Sequence, residues 1–316
     1  MLHTLAIMAP IILLMGLGYT AAHIRLINRE QIQGIGQLVM YFALPALIIR
    51  ALTDNPLGET LNPRYLLAYG LGSALLFIPV LLWMQRRRSE SLSSAAMYAL
   101  GASASNSAFT GYPIASMVLG PSAATFLAQN MIIENLLILP AALIVAELGQ
   151  RQGGSGLDLL RTISRRLIRN PLLLALGVGI SMALLDIRLP APLDQVIDML
   201  ADATAPTALF AVGGALYGLQ VRGVVGSVSL IVLGKLILHP LAILIMFSLI
   251  MPGETDVLVG ALLFASVPMI SIFPLICQRY SMGSIGAGAL FTASLASFAT
   301  ITCLIALMSR YSLLPG

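Results

Sequence analysis

Ala104-Ser-Asn-Ser-Ala-Phe-Thr-Gly-Tyr-Pro113 interrupts one long apolar run, and Ala265-Ser-Val-Pro-Met-Ile-Ser-Ile-Phe-Pro274 interrupts another far downstream. In a soluble helix a central proline flanked by glycine and hydroxyls is mostly damaging, because it removes a donor and its ring meets the carbonyl four residues back. Inside a bilayer, freed backbone groups cannot reach bulk water. A broken helix persists there only where protein or a wet cavity satisfies it, and two breaks in corresponding halves point to a binding site between them.

Composition places the chain in a bilayer. Of its 316 residues 58% are hydrophobic and 9% charged, with mean hydropathy +0.94, whereas a soluble domain carries about a quarter charged residues. The first apolar run, Leu5 to Thr20, has only His3 ahead of it in place of a basic leader, so it is expected to stay as a span. The net charge of +4 comes from arginines in polar links, which speaks for membrane orientation and against a nucleic-acid partner. Cys277 and Cys303 stand alone without ligand spacing, so no metal and no cofactor is expected.

Segments of about 20 apolar residues cross the hydrocarbon core. The expectation is an all-α integral membrane protein with ten spans: Thr4 to Ile24, Ile32 to Leu52, Tyr65 to Met84, Ser93 to Leu119, Ala124 to Ala146, Pro171 to Leu185, Ala205 to Leu219, Val224 to Met251, Val257 to Tyr280, and Ile285 to Ser309. Odd-numbered links carry twelve arginines and the others three, Arg64, Arg188 and Arg310. The acids Asp54, Glu59, Asp186, Asp194, Asp198, Asp202, Glu254 and Asp256 are read onto the even links. The positive-inside rule then puts both termini outside and the Gly-rich, basic segment 149–169 in the cytoplasm.

An internal repeat sets the architecture. Pro10, Pro45, Pro79 and Pro113 fall on Pro171, Pro206, Pro240 and Pro274 at one offset of 161 residues, as Gly16 and Gly18 fall on Gly177 and Gly179. Chance alignment would give about half a proline match. Residues 1–148 form the first repeat and 170–316 the second. Each holds five spans, so the second enters from the opposite side and the repeat is inverted. The broken fourth and ninth spans then cross near the midplane, with half-helix N-termini around Gly111, Tyr112 and Pro113 and around Ile272 and Pro274 facing one cavity. Unpaired N–H groups and the positive ends of two dipoles favour an anion.

The tract Asn106 to Pro113 (NSAFTGYP) resembles the fourth-span motif of the auxin efflux carrier family, as do Leu44 to Leu52 (LPALIIRAL), Ala205 to Leu216 (APTALFAVGGAL) and Gly234 to Pro240 (GKLILHP). The resemblance covers essentially the whole chain and extends to bacterial malonate-transporter-like members. It implies a scaffold of spans 1, 2, 6 and 7, a moving transport domain of spans 3 to 5 and 8 to 10, elevator-like alternating access, a homodimer through the scaffold, and a bacterial inner-membrane location. The long central loop of the plant carriers is missing, which points away from auxin itself.

Asn106 lies in the small-residue tract Gly101 to Ala108, which suits either close helix approach or a substrate contact through an amide that donates and accepts. Ser105, Ser107, Thr110 and Ser271 are hydroxyls that bond substrate or their own backbone. Glu134 lies mid-span beside Asn130 and Asn135, where a carboxylate is either a proton or ion site or half of a structural pair. Lys235, the sole lysine, has His239 one turn on. Its counter-charge is either Glu134 or the substrate carboxylate, and His239 either joins ion coupling or satisfies a carbonyl freed by Pro240. Arg50 is read as snorkelling to headgroups.

The leading reading is a secondary carrier of small organic carboxylates, coupled to H+ or Na+ and not an enzyme. Its rivals are a sodium-coupled symporter of the bile-acid type and, more distantly, an intramembrane enzyme. The symporter lacks a ninth-span carboxylate, and the enzyme lacks a catalytic set.

Overall fold

The computed structural model describes residues 2–54, 61–150, 165, 168–217, 225–311 and 313, with side chains from Ala9 onward. Among these residues every regular element is helical. The helices are α1 (Leu2–His23), α2 (Arg29–Leu38), α3 (Leu44–Thr53), α4 (Pro63–Arg87), α5 (Leu92–Ser103), α6 (Tyr112–Leu119), α7 (Ala123–Ile132), α8 (Leu139–Gly149), α9 (Pro171–Leu184), α10 (Ala191–Asp202), α11 (Thr204–Leu216), α12 (Val225–Leu233), α13 (His239–Ile250), α14 (Thr255–Ala265), α15 (Phe273–Arg279) and α16 (Gly283–Arg310). Among the described residues six stretches are long and apolar enough to cross a membrane, including Arg29–Thr53, Pro63–Arg87, Val225–Ile250 and Gly283–Arg310; α9 and α14 are apolar but shorter. Large apolar side chains such as Leu13, Phe42, Ile78 and Leu249 face outward, as lipid contact requires. The chain is a multi-pass membrane protein.

Proline shapes the helices in one recurring way. Four widened π turns, Val39–Ala43, Ser107–Gly111, Ile133–Ile138 and Gly234–Leu238, each run directly into a helix whose second residue is Pro45, Pro113, Pro140 or Pro240. In each case the carbonyl four residues before the proline lies inside the wide turn, which relieves its clash with the ring. Glu134, Lys235, Ser107 and Thr110 all sit in such turns.

Packing falls into two groups. In one, α1 and α2 pack on α11, and α3 packs on α9 and α10; in the other, α4 packs on α5 and α13, α5 on α8, and α16 on α12 and α15. The α1–α11 contact is backbone to backbone. A Cβ on Gly18 would overlap the Phe210 carbonyl and one on Gly213 would overlap the Met15 carbonyl, so glycine sets this approach. The groups meet where α3 faces α7 and where α11 faces α6 and the turn before it.

Left-handed backbone occurs at Arg25, Ser89, Gly120, Asp186, Gly253 and Ser281 among the described residues. Each follows the end of a helix. Arg25 and Asp186 are 161 residues apart, as are Gly120 and Ser281, and Ser89 and Gly253 are 164 apart.

Two expectations change. The acidic stretch assigned to an even link is mostly α10. Leu193, Val196, Ile197 and Leu200 recur at helical spacing there and Asp194 stands in the first turn, where the dipole favours an acid. The basic segment 149–169 lies largely outside the described residues. Arg50 does not reach for headgroups: its Nη1 donates to Asp202 at 2.8 Å and to Asp198 at 3.5 Å, tying α3 to α10. Both aspartates are more than half exposed, so the pair stabilises by about 1 kcal/mol or less. Arg50→Ala is expected to lower stability by about that amount at low salt and by less at high salt. Thermal melts at the two ionic strengths check this; an equal loss at both would assign the effect to packing of the arginine stem.

Candidate functional site

The first break lies at Ala104, Ser105 and Asn106, between α5 and the turn that starts at Ser107. Asn106 restarts the helix. Its Oδ1 accepts from the Phe109 N–H at 3.3 Å, and its carbonyl accepts from the N–H groups of Thr110 and Gly111, the work of an N-cap. The expected break at Gly111, Tyr112 and Pro113 is therefore misplaced: these residues are helical, and Pro113 takes an early helix position where its missing N–H costs little. Gly111 packs on the Phe264 ring, and Tyr112 is buried. In the second copy no side chain caps the restart. Residues 266–272 are unwound, and α15 begins at Phe273 with half-buried Pro274 second, while Ser271 and Ile272 are exposed.

The two breaks touch. The Asn106 N–H donates to the Pro268 carbonyl at 2.8 Å, and Asn106 Nδ2 donates to Ser271 Oγ at 2.8 Å and Thr110 Oγ1 at 3.1 Å. Asn106 thereby joins a backbone bond and an amide bridge across the crossing.

The residues on either side of Asn106 reach two further turns. Ser107 Oγ donates to Glu134 Oε1 at 2.6 Å, and the Ser105 backbone amide faces the same carboxylate. Ser105 Oγ accepts from Lys235 Nζ at 2.6 Å and lies 3.4 Å from Tyr69 Oη. Lys235 Nζ also donates to the Ala265 carbonyl and to His239 Nδ1, each at 2.8 Å. Ala265 ends α14, so its carbonyl has lost its helical partner. The ammonium satisfies it at the negative end of that helix. Ser105, Ser107, Glu134, Lys235 and His239 are all buried.

Lys235 thus does not take Glu134 as a direct partner. Its three N–H groups go to Ser105, Ala265 and His239, and no Glu134–Lys235 pair occurs among the ion pairs of the described residues. A charged Lys235 donating to Nδ1 assigns the His239 proton to Nε2, which faces Ser73 Oγ at 3.0 Å. This Ser–His pair differs from a hydrolytic one in the group that faces Nδ1. A triad sets a carboxylate on Nδ1 to stabilise the imidazolium; here an ammonium faces Nδ1 and opposes it.

Tyr65, Tyr69 and Ser73, one helical turn apart on α4, escaped the sequence reading although their spacing marks one polar face. Tyr65 Oη donates to Asn130 Oδ1 at 3.1 Å. The Ala265 carbonyl had no side-chain signal to find. What the arrangement can do is hold a small anion or a proton among hydroxyls, one amide, one carboxylate and one ammonium.

Residues 3–306 match a family model described as membrane transport protein. The chain is 29% identical over 314 residues to the "Putative malonate transporter" of Rhizobium meliloti (strain 1021), covering 97% of this chain and 96% of that protein. It is 26% identical over 299 residues to auxin efflux carrier component 5 of Arabidopsis thaliana, covering 83% and 84%. It is 24% identical over 254 residues to the lysosomal cholesterol signaling protein of Mus musculus, 76% of this chain but 29% of that protein. Since 84% of the Arabidopsis carrier is covered, the lack of a long central loop does not by itself separate this chain from plant carriers.

Proposed function

This chain belongs to the membrane transport protein family of the auxin efflux carriers, and we propose that it is a secondary carrier of a small organic carboxylate, with malonate first among candidates. The observation that carries this is the contact of the two helix breaks through Asn106, Pro268 and Ser271. Unwound backbone at depth needs a polar environment, and a site at such a crossing can open to either side as one group of helices shifts on the other. The ammonium of Lys235, held by neutral partners, leaves a positive field at the break for an anion. The seven-residue α15 adds less dipole than the sequence reading assumed.

In this reading ten spans form two inverted five-span repeats. The matched left-handed residues at Arg25 and Asp186 and at Gly120 and Ser281 support it. The scaffold is α1, α2, α3, α9, α10 and α11, and the remaining helices move; the two packing groups support that division. The arginine distribution favours both termini outside, and the likeness to a bacterial relative favours a bacterial inner membrane. A sodium-coupled cycle is disfavoured by Lys235, whose Nζ takes the Ala265 carbonyl and the Ser105 hydroxyl, oxygens a sodium ion would otherwise use.

Melting of the purified protein against mono- and dicarboxylates, with and without sodium, tests the cargo. A ligand at about 100 times its Kd stabilises by about 2.7 kcal/mol, so malonate or a close analogue is expected to raise the Tm without sodium. A panel of carboxylates that leaves the Tm unmoved would overturn the assignment.

A further inference from the structure

A cavity of about 280 Å³ lies away from the crossing, lined by Asn62, Tyr65, Ser122, Thr125, Gln129 and Val257. It opens beside the start of α4 and the Gly120–Ser122 turn. Gln129, nearly fully buried, accepts the Asn62 N–H at 3.0 Å and holds this rim together. Tyr65 forms part of the inner wall and hands on to Asn130, which is fully buried. Asn130 Nδ2 has no protein partner, alone among the buried side-chain nitrogens and oxygens of the described residues. A buried donor left unpaired costs about 1 to 3 kcal/mol, and buried water is the usual remedy where the site is polar. One turn further along the same helix stands Glu134.

We propose that this cavity is the mouth of a water-filled proton route that reaches Glu134 past Gln129, Tyr65 and Asn130, separate from the path of the substrate. The proposal rests on the carrier reading and adds to it that Glu134 gains and loses a proton during the cycle. On the crossing side Ser107 donates to Oε1, and Asn106 bonds the two breaks to each other. From the cavity side a water held by Asn130 Nδ2 can donate to the carboxylate. A proton entering at Ser122 and Thr125 passes along such waters, and only O–H bonds exchange; it ends on a Glu134 oxygen as a neutral carboxyl and leaves by the same water. The titratable groups in electrostatic reach of Glu134 are Tyr65 and Tyr69 from α4 and Lys235 from the turn between α12 and α13, with His239 behind Lys235. The tyrosines keep the route polar, and Lys235 stands on the substrate side of the carboxylate.

The test reads hydrogen–deuterium exchange of the Glu134 carboxyl by rapid-mixing infrared spectroscopy on the full-length protein without substrate. The carboxyl band is identified by its loss in Glu134→Gln. Thr125→Trp fills the cavity and is expected to slow exchange by on the order of tenfold or more. Because a tryptophan there can disturb folding, Ser122→Cys in a Cys303→Ser background, alkylated with a bulky reagent after purification, supplies the same plug on a folded protein; Cys277 is buried. Unchanged exchange in the alkylated protein, or no band lost in Glu134→Gln, overturns the route. Cargo is read separately in the melting panel. Slowed exchange without carboxylate stabilisation keeps the route and removes the cargo assignment; carboxylate stabilisation with unslowed exchange does the reverse.

Discussion

Replacing Lys235 with methionine is expected to abolish substrate binding and to cost the empty protein about 2 to 4 kcal/mol. The side chain would keep its length but take the ammonium from the Ala265 carbonyl, the Ser105 hydroxyl and His239 Nδ1, leaving the longer contacts of Ser105 with Tyr69 Oη at 3.4 Å and of the carbonyl with His239 Nδ1 at 3.3 Å. Each buried group left unpaired costs about 1 to 3 kcal/mol, partly offset because a buried ammonium is itself costly. Adding Glu134→Gln is not expected to restore stability, since the two residues are not direct partners in the structure. Denaturation of the single and double variants, with binding on each, measures the coupling. Rescue by the double variant would make Lys235 and Glu134 a structural ion pair and remove the reading of Lys235 as the field that draws the anion.

Glu134→Gln is expected to leave stability within about 1 kcal/mol, because the amide oxygen still accepts from Ser107, while removing the pH dependence of transport between about pH 5 and 8. The charge is lost and the hydrogen bond is kept, so any change in the pH profile reports protonation and not packing. Uptake into proteoliposomes over that range, beside melting curves of both proteins, is the check. An unaltered pH profile would assign Glu134 to structure and leave the coupling ion to be sought elsewhere.

Much of this was legible in the chain itself. The hydropathy runs placed helices in the expected intervals, and the prolines marked the places where helices widen or break, because ring and missing donor act locally whatever surrounds them. Glu134 and Lys235 stood out because buried charge in a membrane is rare. Distance was the part the sequence could not supply. The break fell at Ser105 and Asn106 and not at Pro113 because capping by an amide outweighed the proline cue. Lys235 found a backbone carbonyl, and carbonyls carry no residue-type signal. α10 was hidden because counting acids as loop residues ignored the apolar spacing of Leu193, Val196, Ile197 and Leu200. Arg50 was misjudged for the same reason, since its partners Asp198 and Asp202 lie on that helix.

Counterflow in proteoliposomes tests the central claim most directly: labelled malonate outside exchanged against an unlabelled carboxylate inside, for the native protein and for Asn106→Ala. Asn106 is the residue through which the two breaks bond, so the native protein is expected to show saturable exchange and the variant none, at melting temperatures that keep both folded. Undiminished exchange by Asn106→Ala, or no saturable exchange of any carboxylate by the native protein, would contradict a carboxylate carrier built on the crossed breaks.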